Sequence, residues 1–195
     1  MDQLQIINKA LIKCGLPLAA SIEDCDWNAS YFFEMARDEC LRSFAWGFAQ
    51  KFVQLSSADL PEHGFSRSYA MPDDCLRVID ARCMHDLRSP KVRQVRVVGR
   101  HIYSNVSPFY LRYISSGIPI DEYPPDFCDV LACRLAQEIA ALSAQSMALV
   151  PQLAQMYQLA MANAQATDAR ENFERVPLDW NILASRAGGG DGRGK

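Results

Sequence analysis

The hydrophobic period of this chain switches twice, from helical to alternating and back, which narrows it to folds that keep helices and sheet apart. Leu4, Ile7, Leu11 and Cys14 share the spacing of one helix face, and Gly15 and Pro17 follow in the order that ends a helix. The polar stretch from Ser21 to Asp26 holds Asp24 and Asp26, either of which is suited to cap the next helix. From Trp27 the helical period returns. Trp27, Tyr31 and Met35 form one row, Phe32, Ala36, Cys40 and Phe44 a second, and Glu34, Arg37, Asp38 and Arg42 the wetter face. About 18 residues at this rise make a rod of roughly 27 Å.

Beyond Trp46 and Gly47 the pattern becomes that of strands. Lys51 to Ser57, Leu76 to Cys83 and Phe109 to Ile114 are β-prone, with a short extended piece at Tyr69 to Asp74. Val92 to Val98 and His101 to Val106 read as a hairpin about Gly99 and Arg100. Five or so strands joined by short loops predict antiparallel pairing. Pro124 and Pro125 open a third helix with Leu131, Leu135, Ile139 and Leu142 on its buried face. A fourth begins near Pro151 with a stripe of Val150, Leu153, Tyr157, Ala160 and Ala164, turning polar from Thr167 to Glu174. The expected class is α+β: two N-terminal and two C-terminal helices flanking a mostly antiparallel β insertion. Residues 1–175 form one domain, with helices in 2–46 and 124–175 and the β region at 50–116. Residues 176–195 form an extended C-terminal tail.

Composition agrees with a globule. The chain has 195 residues, 49% hydrophobic and 22% charged, too apolar for a disordered chain. Its uncharged apolar runs fall far short of the roughly 18–20 residues that a membrane span requires, so no membrane insertion is expected. The start carries Asp2 and lacks an apolar core with a small-residue cleavage site, so no signal peptide is expected. A net charge of −3 argues against tight nucleic-acid binding as the default.

Chemistry-bearing motifs are sparse, and no cofactor is expected. Seven cysteines (Cys14, Cys25, Cys40, Cys75, Cys83, Cys128 and Cys133) are scattered without a C-x-x-C pair, and His63, His85 and His101 stand apart from them. Zinc needs tighter clustering, so buried reduced thiols are the expected state. The sequence has no P-loop, dinucleotide-binding glycine run, H-E-x-x-H or G-x-S-x-G pattern. Glu34 with Asp38, and Asp168 with Glu171, are helical neighbours and read as solvated faces. From Arg82 to Arg100 the chain holds six bases (Arg82, Arg88, Lys91, Arg93, Arg96 and Arg100) against Asp86 alone. Strand parity puts Arg93 and Arg96 on opposite faces. The stretch fits, in order of preference, a solubilising rim, a surface for an acidic partner, or a DNA contact.

The C-terminal twenty residues are distinct. Trp180, Ile182 and Leu183 are costly to leave in water, at about 25 cal/mol per Å². Arg186, Arg193 and Lys195 make the glycine-rich end basic. Folding back onto the same chain and docking onto another are both open at this point.

Three stretches carry a resemblance. They are the helix Ile6–Gly15 (IINKALIKCG), the helix end Leu41–Ala49 (LRSFAWGFA) before a strand with Leu55, and Tyr69–Val78 (YAMPDDCLRV). In this order they resemble the head–tail connector, or adaptor, proteins of short-tailed bacteriophages, including the tail tubular protein A group, from about residue 4 to residue 175. The resemblance implies a structural virion protein assembled in the bacterial cytoplasm. It implies a ring, usually of twelve copies, that joins the portal protein to the tail nozzle, with tail fibres as possible neighbours and duplex DNA passing transiently through the lumen. It also implies that the C-terminal segment grips the portal, with Trp180, Ile182, Leu183, Arg186, Arg193 and Lys195 as contact candidates. Lys91, Arg88, Arg93, Arg96 and Arg100 are then DNA or subunit contacts. A globule of this length has a radius of gyration near 16 Å, too small to enclose a duplex alone, whereas a ring of head-to-tail contacts could. Two other readings stand beside it: a tail-associated peptidoglycan hydrolase using Glu34 or Glu39, and a cytosolic module with a small-molecule pocket among Tyr103, Phe109, Tyr110 and Tyr113.

Overall fold

Helix α1 (Gln3–Lys13) is closed at both ends by its own sequence. The Asp2 carboxylate accepts the Gln5 N–H at 2.8 Å, and the Gln5 side chain accepts the Asp2 N–H at 3.0 Å, a reciprocal capping box. At the far end Gly15 takes φ +70°, and the N–H groups of Gly15 and Leu16 return to the carbonyls of Ile12 and Leu11, each at 3.0 Å. This is the left-handed stop that glycine supplies without a Cβ penalty. Ile6, Ile7, Ala10 and Leu11 are buried, and each of the larger side chains contributes about 1.5–3 kcal/mol. A computed structural model of the chain describes residues 1–24, 29–58, 63–84, 91–142 and 147–172.

Helix α2 (Ala29–Ser43) buries Phe33, Ala36, Cys40 and Leu41. The expected row of Tyr31 and Met35 lies on the other side of the helix, 58% and 43% exposed. Successive residues rotate by about 100°, so positions 31 and 35 stand opposite the stripe that meets the next helix. Of the second expected row, Ala36 and Cys40 are buried, and Phe32 and Phe44 are half-buried. Asp24 accepts the Ser21 N–H at 2.8 Å and closes the turn before this helix. Asp26 and Trp27 lie outside the described residues.

Helix α3 (Pro125–Leu142) is the central rod, packed by α1, by α2 and by α4 (Val150–Glu171). It is therefore apolar on most sides, as a surrounded helix must be. Leu131, Leu135 and Ile139 are buried, but Leu142 is 58% exposed because α3 ends there, beyond its partners. Helix α4 carries Pro151 in its first turn and buries Leu153, Met161 and Ala164. Val150, Tyr157 and Ala160 of the expected stripe are half-buried.

Among the described residues the β region holds seven strands where about five were expected. β1 (Gln50–Leu55), β4 (Cys75–Arg82) and β7 (Phe109–Ser115) form an antiparallel sheet ordered β1-β7-β4. β2 (Ser57–Ala58), β3 (Arg67–Ala70), β5 (Val95–Val98) and β6 (His101–Ser104) form a second antiparallel sheet ordered β2-β3-β6-β5. The two sheets enclose a core of Tyr69, Ile102, Phe109, Leu111 and Tyr113, with Tyr69 stacked on Phe109 at 4.5 Å. The helical core takes in Ile114, Leu76 and Ile79 from the three-stranded sheet. Register shifts in β4, between Cys75 and Arg77 and between Val78 and Asp80, let Cys75, Val78 and Ala81 face one core while Leu76 and Ile79 face the other. The molecule is thus layered as helices, three-stranded sheet and four-stranded sheet, an α+β architecture. Among the described residues no helix is long and apolar enough to cross a membrane.

Candidate assembly surfaces

The segment joining α2 to β1 forms one structural joint. Trp46 is buried, donates its indole N–H to the Cys40 carbonyl at 2.9 Å, and meets Phe44 and Phe127 edge-on at 5.0 and 5.2 Å. The Gly47 N–H donates to Asp168 Oδ1 at 2.8 Å, and the Asn172 side chain lies against the Gly47 Cα, where a Cβ would collide with it. The end of α4 is therefore tied to the start of β1. Asp168 was expected on a solvated face. It is half-buried and serves this joint, because the chain brings together positions 121 residues apart. Close by, the Tyr123 hydroxyl is buried with no hydrogen-bond partner among the described residues, and burial pushes its pKa up.

Asp74 makes a second joint. Its Oδ2 accepts from Lys51 Nζ at 2.6 Å and Ser115 Oγ at 2.7 Å, its Oδ1 from the Tyr113 hydroxyl at 3.0 Å, and its carbonyl from the Ser116 N–H at 2.9 Å. Partial burial alone would raise the carboxyl's pKa, but the bonds from Lys51, Ser115 and Tyr113 outweigh it and hold the group below its ordinary range. Tyr113 shifts the other way, pushed up by burial and by the Asp74 charge. One carboxylate thus ties the entry of β4 to β1 and β7.

The basic residues separate into three groups. Lys91 and the buried Arg82 each lie 3.4 Å from the buried Asp80, and Arg112 reaches it at 3.8 Å from the facing position on β7. Arg112 also donates to Gln50 Oε1 at 2.6 Å. Arg100 donates to the Pro72 carbonyl at 2.5 Å, with Asp73 at 3.8 Å. Arg93 and Arg96 are exposed and make no ion pair among the described residues. Arg93 precedes β5, so strand parity does not govern it, whereas Arg96 stands opposite Tyr103. Arg88 lies outside the described residues, as do Trp180, Ile182, Leu183, Arg186, Arg193 and Lys195 of the tail. Sequence reasoning missed Asp80 and Arg112, which are far apart in the chain and meet only through strand register.

The residues of the other readings are engaged elsewhere or dispersed. Glu39 Oε2 holds Arg134 at 2.9 Å, and Arg134 also reaches Glu138 at 2.5 Å. Glu34 is exposed, and Asp38 pairs with Arg37 at 2.9 Å. Phe109 and Tyr113 fill the core between the sheets, Tyr110 stacks on Phe52 at 5.7 Å, and Tyr103 meets the His63 ring at 4.9 Å. By strand alternation Tyr110 stands on the opposite face of β7 from Phe109 and Tyr113. Among the described residues no His, Cys, Asp and Glu side chains cluster as a metal site. Cys14, Cys40, Cys75, Cys128 and Cys133 are buried, and burial pushes the Cys40 thiol up to about 12. Cys83 is half-buried and unbridged, and Cys25 and His85 lie outside the described residues. No protein-family model matches this chain, and no curated protein matches it.

Proposed function

We propose that this chain is a subunit of a connector ring in a short-tailed bacteriophage, joining the portal to the tail nozzle around the path of the DNA. The observation that carries the reading is where the three resembling stretches fall. Ile6–Gly15 holds the buried Ile6, Ile7, Ala10 and Leu11 of α1, which packs on α3. Leu41–Ala49 is the joint that receives the end of α4. Tyr69–Val78 contains the Asp74 joint and the two-sheet contact of Tyr69. The resemblance therefore rests on residues that set the architecture, which is what two proteins with the same scaffold would share. In this reading residues 176–195 would serve as the portal strap, following in sequence the end of α4 that the Gly47–Asp168 bond braces. The ring would sit in the virion after assembly in the bacterial cytoplasm, and its work would be geometric. A modest negative charge suits a channel for DNA, because phosphate contacts would make passage salt-dependent and slow.

The test is light scattering and electron microscopy of the full chain, alone and with the portal protein of the same phage. A stable complex containing a ring of this chain is the expected result. A chain that stays monomeric and unbound in the presence of portal overturns the reading.

A further inference from the structure

The charge of this chain is unevenly distributed. Residues 87–120 hold six bases (Arg88, Lys91, Arg93, Arg96, Arg100 and Arg112) and no acid; the remaining fourteen bases and twenty-three acids leave −9 on the rest. Much of this positive segment borders a sheet edge. β5 is the outer strand of its sheet and, among the described residues, pairs with β6 alone. Val97 and Val98 on it are 47% and 40% exposed, beside the exposed Arg93 and Arg96. An open edge is a template for another chain, and charge is a common means of blunting one. Blunting does not explain two adjacent exposed valines. A phosphate backbone would satisfy the arginines and leave the valines in water, so a protein partner fits this edge better than a duplex does.

The complementary surface is present on the same chain. At the N-terminal ends of α1 and α3, Asp2, Asp121, Glu122 and Asp126 are exposed and make no ion pair with a base among the described residues. Met1 and Ile120 line an open depression there together with Asp2 and Asp121. The acids Asp2 and Asp121 and the apolar Met1 and Ile120 that line it, with Glu122 and Asp126 near by in sequence, complement the arginines and valines of the edge. The acids belong to the helical layer and the arginines to the outer sheet, so the two surfaces are distinct.

We infer that the β5 edge of one copy docks on this acidic depression of the next. A contact between two different surfaces repeats head to tail and closes a ring if the rotation allows. The inference rests on the connector reading for the closure of that ring. It also places the arginines between subunits, where they would not hold passing DNA.

The test is sedimentation of the full chain at low and high salt, alone and with portal protein. Arg93→Glu with Arg96→Glu should weaken self-association at least about tenfold. Asp121→Lys with Glu122→Lys should do the same, and all four changes in one chain should restore it. These positions are exposed, so melting curves should match the unchanged chain, and Arg93→Gln with Arg96→Gln serves if the reversal disturbs folding. Unchanged association in the single-surface variants, or no restoration by the swap, overturns the inference. So does a labelled DNA duplex whose binding is lost on the Arg93 and Arg96 reversal while self-association is untouched. Rings of the reversed variants forming on the portal at full occupancy would overturn this interface and leave the connector reading standing. An unchanged chain that fails to bind portal but self-associates through the swap-sensitive contact would remove the connector reading and keep the interface.

Discussion

Gly47 and Asp168 lie 121 positions apart, and the N–H of the first donates to the carboxylate of the second at 2.8 Å. This bond brings the final turn of α4 to the start of β1, and the Asn172 side chain covers the glycine so closely that a Cβ there would displace it. The last turn of α4 and the start of the sheet therefore meet at one point.

Gly47→Ala should lower stability by up to about 1 kcal/mol, because the methyl displaces the exposed Asn172 side chain, whose amide donates to the Asp168 carbonyl. Asp168→Ala should cost about 1–2 kcal/mol by orphaning the Gly47 N–H. The two residues share one contact, so the double variant should lose less than the sum of the singles. Urea unfolding of the three variants checks this, and strict additivity would contradict the joint.

Asp74 should make the fold acid-sensitive. Its pKa is lower in the folded chain than in the unfolded one, so its contribution is present above the unfolded value and is lost as pH falls through the folded value. The loss should therefore appear below about pH 4, where an ordinary aspartate titrates. Asp74→Asn should flatten that part of the stability curve and lower stability at neutral pH. Melting temperature as a function of pH reads both effects.

Removing Asp80 should be far worse than removing a base beside it. Asp80→Ala leaves Arg82 buried beside Arg112 and Lys91 without their shared carboxylate, at a cost of about 3 kcal/mol. Lys91 is 64% exposed in its side chain, so Lys91→Ala should cost under about 1 kcal/mol. Denaturant midpoints of the two variants give the ordering, and equal losses would show that the pairs are independent.

Tyr123→Phe should leave stability unchanged or raise it by up to about 1 kcal/mol, since it removes a buried hydroxyl that lacks a hydrogen-bond partner among the described residues. The ring packing on Phe48 and Phe127 is retained. A clear loss in calorimetry would point to a hidden partner for the hydroxyl.

Deleting residues 176–195 should abolish binding to the portal while leaving the melting temperature of the remaining domain close to that of the full chain. Normal portal binding by the truncated chain would remove the tail from the connector account.

Elements whose causes are local were legible in the sequence. The α1 stripe and its glycine stop, the hairpin about Gly99 and Arg100, the proline-led start of α3 and the helix–sheet–helix order follow from periodicity and backbone preference, which act over a few residues. The antiparallel class followed from short connections. The tertiary structure alone decided which of two rows on α2 is buried, since that depends on where α3 passes. It also decided that Asp168 braces Gly47, that Asp80 gathers Arg82, Lys91 and Arg112, and that Val97 and Val98 stand on an outer edge beside Arg96. Such choices depend on strand register and packing between distant positions, and the energy that selects them exists only once the layers are assembled.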